Sequence, residues 1–222
     1  ALKMEGIEEL LFALSEYTKM PEYQEKFGAT VFKITRDAQG SRLTHLKVTG
    51  GVLKARNLLT GHKQNKPEDI WEEKVNQIRI YSGEKYETKD EVEAGTICAV
   101  TGLSYTYPGE GLGNQEESEL PILEPVLTYE LILPDGVQPQ AMMPKLAMLE
   151  EEEPELHIVW NEELQEIKIQ IMGEVQIEIL KALISDRFGA EVEFGTGKIL
   201  YRETIGDTVE VVGQFEALRH YA

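Results

Sequence analysis

The chain has 222 residues, of which 41% are hydrophobic, and a formal net charge of −18 at pH 7. This length predicts two small domains, each able to form a core. The negative charge argues against nucleic-acid binding by the chain as a whole. The charge is uneven, because residues 27–118 carry 12 Lys/Arg and 13 Asp/Glu whereas residues 119–205 carry 6 and 18. Contact with nucleic acid therefore stays open for the first part, and the second is expected to meet water or a basic protein.

The single cysteine, Cys98, lies in the apolar run 96–100, which predicts a buried strand. One cysteine cannot form an internal disulfide and is typical of a reducing cytoplasm. The chain shows neither a signal peptide nor an apolar run of membrane-spanning length. We therefore expect a cytoplasmic chain without a membrane partner.

The first predicted element is an amphipathic helix over residues 1–17, with Ile7, Leu10, Leu11 and Leu14 on its apolar side. So short a segment cannot form a domain, and the helix must pack on something else. We expect it to be the last helix of another domain. Residues 20–26 predict a linker.

Residues 27–118 show the pattern of an all-β domain. Strands are predicted at 31–34, 42–48, 53–59, 74–81 and 96–103, with turns at 37–40, 49–51, 82–84 and 92–95. Several short strands with Gly-containing turns favour a closed β-barrel. The polar residues 62–71 predict an exposed loop, and the Gly-rich residues 107–120 predict an interdomain linker.

Residues 122–205 alternate between strand and helix patterns in the order βαββαβ. The strands are predicted at 126–133, 156–160, 166–172 and from 190 to 204, and the helices at 138–149 and between Gly173 and Gly189. This order predicts an α+β ferredoxin-like domain with two helices on one face of its sheet. In the second helix, Val175, Ile179 and Leu183 repeat every four residues and are flanked by Leu180 and Ile184, which predicts that these residues form its buried face. Residues 206–222 predict the start of a further domain.

No pattern predicts a catalytic or metal site. The chain lacks the G-x-x-x-x-G-K-[ST] phosphate loop, and the glycines of 109–113 come without a lysine. Residues 65–68 only partly match a guanine-binding signature. The four histidines lack ligand spacing, and the acidic run 150–153 is better explained as a solvated helix end. The residues alone therefore indicate binding modules.

Basic residues recur along the first barrel strands. Those that could contact RNA phosphates are Lys33, Arg42, Lys47, Lys54 and Arg56. Ordinary surface cations explain them equally well.

Longer motifs point to one family. In the barrel these are residues 31–34, 43–53 and 92–97, and in the second domain residues 173–178 and the Tyr-Arg-Glu-Thr run 201–204. With these motifs the chain resembles the elongation factor G-like translational GTPases, particularly the tetracycline-resistance ribosomal protection proteins. The barrel is similar to the family's second domain and the βαββαβ unit to its third.

This resemblance implies that the chain is a fragment. Residues 1–20 would end a GTPase domain, with Ala1, Leu2 and Lys3 as a remnant of its guanine-contacting loop, and residues 206–222 would begin a fourth domain. GTP and Mg would belong to the GTPase domain of the longer protein, and these residues would hydrolyse nothing themselves.

The resemblance also implies partners. In such factors the second domain touches small-subunit rRNA, and the third packs between the GTPase domain in cis and a ribosomal protein. The chain would thereby couple nucleotide state to ribosome contact. The implied contacts of the third domain are Gly173, Glu174, Gln176, Tyr201, Arg202 and Glu203.

Three questions stay open from the sequence. Whether the longer protein translocates tRNA or releases tetracycline is undecided, because the residues that distinguish these two functions lie in the fourth domain. A small-molecule-sensing module is an alternative, since ferredoxin-like units often bind regulatory ligands. A ferredoxin-like phosphatase is a third reading, although the turn 133–136 supplies an acid where a phosphate-binding Arg is needed.

Overall fold

A computed structural model describes residues 5–19, 21–64, 66–118 and 125–199. Its contacts divide the chain into two compact units. One comprises the residues up to Leu123 together with Pro144–Pro154, and the other comprises Glu124–Met143 and the residues from Glu155 onward. Within the described part, no helix has the length and apolar character needed to cross a membrane.

The first unit begins with helix α1, Ile7–Tyr17, and continues as a β domain. Its strands are β1 Gly28–Arg36, β2 Arg42–Gly50, β3 Val52–Lys54, β4 Leu58–Lys63, β5 Lys66–Lys74, β6 Gln77–Ser82, β7 Lys85–Lys89, β8 Glu91–Glu93, β9 Ile97–Thr101 and β10 Gly111–Gly113. Six of them form one sheet in the order β10-β1-β2-β9-β6-β7. Two-stranded sheets are formed by β3 with β8 and by β4 with β5.

One apolar core holds these strands together. It takes side chains from each described strand of this unit except β7, including the fully buried Val31, Leu46 and Val100. Burying such a side chain stabilises the fold by roughly 1.5–3 kcal/mol. The predicted β-barrel is confirmed as a fold, with Cys98 in its core, where burial raises the pKa of the thiol to about 12. A thiol in that state is inert.

The loop predicted at residues 62–71 is wrong, because β4 and β5 form a hairpin there. Charged and polar side chains on the outer side of the hairpin hide the strand pattern, while Leu59 and Trp71 enter the core from its inner side. The single strand predicted at 53–59 is also wrong. It breaks into β3 and β4 at Arg56, whose φ of 70° turns the chain.

The linker predicted at 107–120 contains part of the barrel. Strand β10 pairs with β1, and Leu112 is fully buried. Next to it, the Glu110 carboxylate accepts hydrogen bonds from the Trp71 indole N–H at 3.1 Å and the Tyr107 backbone N–H at 3.3 Å. Glu110 is 1% exposed, and burial raises its pKa to about 7. Gly61 allows this approach, because a Cβ there would collide with the carboxylate and the Trp71 ring.

The segment predicted as a linker at 20–26 also packs on the barrel. Gln24 pairs with Gly50 in a β-bridge, and the Gly51 N–H donates to the Gln24 carbonyl at 2.8 Å. A Cβ at Gly51, where φ is 55°, would lie 2.8 Å from the Glu25 carbonyl oxygen. Both glycines therefore let this segment lie against the strand end.

The predicted βαββαβ order is present along residues 127–199, of which Pro144–Pro154 are grouped with the first unit. Its elements are β11 Leu127–Ile132, α2 Pro139–Glu152, β12 Val159–Asn161, β13 Glu166–Ile171, α3 Glu174–Phe188, β14 Glu193–Phe194 and β15 Lys198–Ile199, with a 3-10 turn at Pro154–Leu156. The sheet order is β12-β13-β11-β14, and β15 also pairs with β11. This is the strand order of a ferredoxin-like domain, so the predicted α+β fold is confirmed. The predicted strand at 156–160 is shorter than expected, because the 3-10 turn occupies its start.

Strand β13 alternates as predicted, with Ile167, Ile169 and Ile171 each at most 2% exposed. The predicted buried face of α3 is confirmed only in part. Leu180 and Ile184 are buried there, whereas Val175 is 74% exposed and Ile179 is 57% exposed. The helix carries two apolar stripes, and a four-residue repeat that starts at Val175 follows the outer one.

Helix α1 lies within the predicted segment, but its apolar side is not buried by the residues that the structure describes. Leu10, Leu11 and Leu14 are each more than half exposed. The predicted boundary between the domains at 27–118 and 122–205, and the predicted start of a fourth domain at 206–222, lie outside the described residues.

The burial of α3 predicts opposite outcomes for two neighbouring isoleucines. Ile184→Asp places a charge among buried side chains and should lower the free energy of unfolding of the second unit by at least about 3 kcal/mol. Ile179→Asp should change it by less than about 0.5 kcal/mol, because the site is exposed. Urea denaturation of both variants measures this. Equal effects, or a larger effect at Ile179, would contradict the orientation of α3.

The buried Glu110 predicts a pH-dependent stability. Its pKa is about 7 in the folded barrel against an ordinary value of 4.5, so the folded state holds a proton that the unfolded chain releases between these values. The wild type should therefore lose up to about 3 kcal/mol relative to Glu110→Gln as pH rises from 4.5 to 7.5. Urea denaturation of both proteins across this range provides the test. A difference that is constant with pH would show that the carboxyl does not titrate in this way.

Candidate nucleic-acid interface

The outer face of the six-stranded sheet is the side opposite the core. The first two strands bring an irregularity to it, because the register of β1 and β2 shifts between Val31 and Lys33. Phe32 is the extra residue, as in a β-bulge. Phe32 and Lys33 are both exposed as a result, with Phe32 at 48%.

Four aromatic rings follow one another across this face, and we call them the aromatic row: Phe32, His45, Tyr81 and Tyr86. The ring centroids are 6.2 Å apart from Phe32 to His45, 6.2 Å from His45 to Tyr81 and 5.3 Å from Tyr81 to Tyr86. The rings are tilted by 41–51° from each neighbour. Phe32 and Tyr86 at the two ends are about half exposed, at 48% and 46%.

The centre of the aromatic row is held in place by its neighbours. Ala99 lies opposite His45 on β9 and is only 1% exposed, although it does not belong to the core. The Thr35 hydroxyl is hydrogen-bonded to His45 Nε2 at 2.7 Å. Burial, together with the nearby Lys33 ammonium, lowers the pKa of His45, so the ring is neutral at neutral pH.

Arg79 supports the far end of the row. Its guanidinium lies 4.5 Å from the Tyr86 ring centroid, and it donates to Asp37 at 2.9 Å and to Gln77. The hydrogen bond from Arg79 lowers the pKa of the Asp37 carboxyl. Arg79 is 8% exposed, so it orders the row rather than offering a free charge.

Two of the five predicted phosphate-contacting cations lie on this face. Lys33 pairs with His45 in the β1–β2 ladder, and Lys47 pairs with Ile97 on β9. Both side chains are exposed. The structure therefore brings two cations and four aromatic rings together on one sheet face.

The other three predicted cations lie elsewhere. Arg42 is half-buried and donates to the Leu103 carbonyl and to Thr106 Oγ1, each at 2.9 Å, so it serves the barrel. Lys54 lies on β3 and forms an exposed ion pair with Glu91 at 3.0 Å. Arg56 lies in the turn between β3 and β4 and is exposed there. These three do not join the outer face of the six-stranded sheet.

The predicted contact residues of the second unit gather only in part. Gly173 precedes α3 with extended backbone, and nothing lies within 4 Å of the position of a Cβ there. Gln176 Oε1 accepts the Met172 backbone N–H at 2.9 Å, next to the helix start, and Glu174 is exposed. Tyr201, Arg202 and Glu203 lie outside the described residues, as do Ala1, Leu2 and Lys3.

The aromatic row is not predicted by any local sequence pattern. Its members lie far apart in the chain and join only when β1, β2 and β6 enter one sheet. One signal was available, because Tyr81 and Tyr86 flank the predicted turn at 82–84 and must face each other across a hairpin. In the described ranges, no group of three or more His, Cys, Asp or Glu side chains has metal-site geometry.

The second unit is similar to a known protein family. Residues 122–196 match the model of the family described as Elongation Factor G, domain III. The ferredoxin-like unit is therefore similar to domain III of elongation factor G. The ferredoxin-like unit is called domain III below.

Curated relatives extend the likeness to most of the chain. Elongation factor G 2 of Syntrophus aciditrophicus is 27% identical over 97% of this chain and 35% of its own length. Elongation factor G of Amoebophilus asiaticus is 29% identical over 86% of this chain and 27% of its own. Tetracycline resistance protein TetP of Clostridium perfringens is 29% identical over 90% of this chain and 30% of its own. The chain thus spans about a third of the length of these relatives.

A solved structure shares the fold. A crystal structure of a Thermus thermophilus protein superimposes with a TM-score of 0.67 at 24% identity, covering 86% of this chain and 29% of that one. The similarity to elongation factor G and to a tetracycline resistance protein, first stated from short motifs, is confirmed.

Proposed function

We propose that the chain forms the second and third domains of a ribosome-associated translational GTPase. The barrel of residues 27–118 and domain III at 122–205 would couple nucleotide state to ribosome contact, and would hydrolyse no nucleotide themselves. GTP and Mg would bind the GTPase domain of the longer cytoplasmic protein. The observation that carries this proposal is the match of 122–196 to elongation factor G domain III, within a likeness to elongation factor G that covers 97% of the chain.

The two units differ in the partners that their charge favours. The barrel is close to neutral and exposes Lys33 and Lys47 beside the aromatic row, which supports contact with small-subunit rRNA. The stretch that contains domain III carries 18 acidic against 6 basic residues. This excess favours a basic ribosomal protein as its partner, through the start of α3 around Gly173, Glu174 and Gln176.

Release of tetracycline from the ribosome is a second candidate function. The observation behind it is the 29% identity to tetracycline resistance protein TetP. This identity is as high as that to elongation factor G of Amoebophilus asiaticus. Expression of the longer protein in a tetracycline-sensitive host distinguishes the two functions. A raised inhibitory concentration would support release, and an unchanged one would support translocation.

Binding to purified ribosomal subunits tests the barrel contact. The chain should co-sediment with small subunits, and the double variant Lys33→Glu/Lys47→Glu should bind about tenfold or more weakly, because it loses two phosphate contacts. The slope of log affinity against log salt should also fall by about 2.

The double variant Lys85→Glu/Lys89→Glu is the matched control, since it makes the same change of charge on exposed residues of β7 that lie outside the aromatic row. It should bind like the wild type. Equal losses in both variants would show that only overall charge matters. No binding to small subunits by the wild type would contradict the proposed function of the barrel.

A further inference from the structure

The outer face of the barrel sheet combines exposed aromatic rings with exposed lysines. Aromatic rings from β1, β2, β6 and β7 follow one another across it, and cations lie beside them. Soluble proteins rarely expose large aromatic side chains together without a partner. Phe32 and Tyr86 are each nearly half exposed at the ends of the row, and Lys33 and Lys47 lie on the same face.

The charge around the row indicates an anionic partner. In β1, β2, β9, β6 and β7, the positions that alternate with the core residues and face outward hold no Asp or Glu. Asp37, in the turn after β1, is already paired with Arg79. A partner laid across this face would therefore meet the two lysines without meeting an unpaired carboxylate on these strands.

The ring geometry favours flat groups that can stack. The rings are spaced 5.3–6.2 Å apart between centroids, and each is tilted to the next, so no continuous flat surface exists. Stacking partners must instead be separate planar groups on a flexible chain, as in unpaired RNA. Arg79 and Tyr81 both contact the Tyr86 ring, and the ring still keeps 46% of its surface exposed, which is the part that a base could stack on.

We propose that the aromatic row is a binding site for single-stranded RNA, in which unpaired bases stack on Phe32 and Tyr86 while Lys33 and Lys47 contact the backbone phosphates. The stacking site rests on the proposed ribosome contact and specifies it further, because the RNA bound by the barrel would be unpaired nucleotides rather than a duplex. His45 and Tyr81 keep the two end rings apart and oriented. Neutral His45 adds no charge to the site, so the phosphate contacts come from the lysines.

Binding of a fluorescently labelled uridine octanucleotide to the full chain, followed by anisotropy at low salt, tests the proposal. The octamer should bind, and an RNA duplex of the same length should bind at least tenfold more weakly. Phe32→Ala and Tyr86→Ala should each weaken binding by about tenfold. Phe32→Trp should retain or strengthen binding, whereas Phe32→Leu should lose it, because only an aromatic ring can stack.

Tyr105→Ala is the matched control, since Tyr105 is 50% exposed on the barrel but lies outside the aromatic row. It should leave octamer binding unchanged. An equal loss with Tyr105→Ala, equal affinity for the duplex, or full binding by Phe32→Leu would overturn the proposal. Preference for a proline-rich peptide over the octamer would also overturn it.

Two outcomes separate this inference from the proposed function. Co-sedimentation with small ribosomal subunits without octamer binding would overturn the stacking site and leave the ribosomal role in place. Octamer binding that depends on Phe32 and Tyr86, without any binding to ribosomal subunits, would support the stacking site and contradict the ribosomal role.

Discussion

The packing of β1, β2 and β9 around one core decides what the barrel can present to a partner. Val31, Leu46 and Val100 fill that core, so the alternate residues of each strand must face outward. Lys47 and His45 therefore lie on the same outer face because their neighbours in the strand are buried. The bulge in β1 adds Phe32 to this face. A shift of the strand register by one residue would turn the residues of this outer face toward the core.

The two domains differ in the charge and composition of their surfaces. The barrel is nearly neutral and concentrates aromatic and basic groups on one sheet face, whereas domain III is strongly acidic. Its helix α3 exposes the second apolar stripe at Val175 and Ile179. A chain that contacts RNA with one domain and protein with the other would need surfaces of these two kinds. The likeness to elongation factor G over most of the chain fits such a division.

The sequence was sufficient for the fold wherever local pattern and burial agree. Strand β13 alternates strictly, and helix α2, which was predicted at 138–149, buries Met142, Leu146 and Leu149. It was insufficient where two patterns compete or where burial is decided by distant residues. Helix α3 has two apolar stripes, and only packing within its own unit selects Leu180 and Ile184.

Sites assembled from distant residues were the hardest to predict. The linker predicted at 107–120 includes Glu110, because the buried site of this carboxyl forms only when Trp71 and Gly61 pack against it. The aromatic row joins rings from separate strands in the same way. Lys33 and Lys47, in contrast, were among the strand cations named from the sequence, and their contact with RNA stays a prediction.

GTP hydrolysis by the longer protein that contains this chain tests the central claim most directly. It should be measured with and without ribosomes, with residues 1–222 alone as the control. The account predicts strong stimulation of the longer protein by ribosomes and no hydrolysis by the chain alone. An absence of ribosome stimulation would contradict it. The likeness to elongation factor G would then reflect shared architecture without shared function, and a sensing role for the ferredoxin-like domain would become the better explanation.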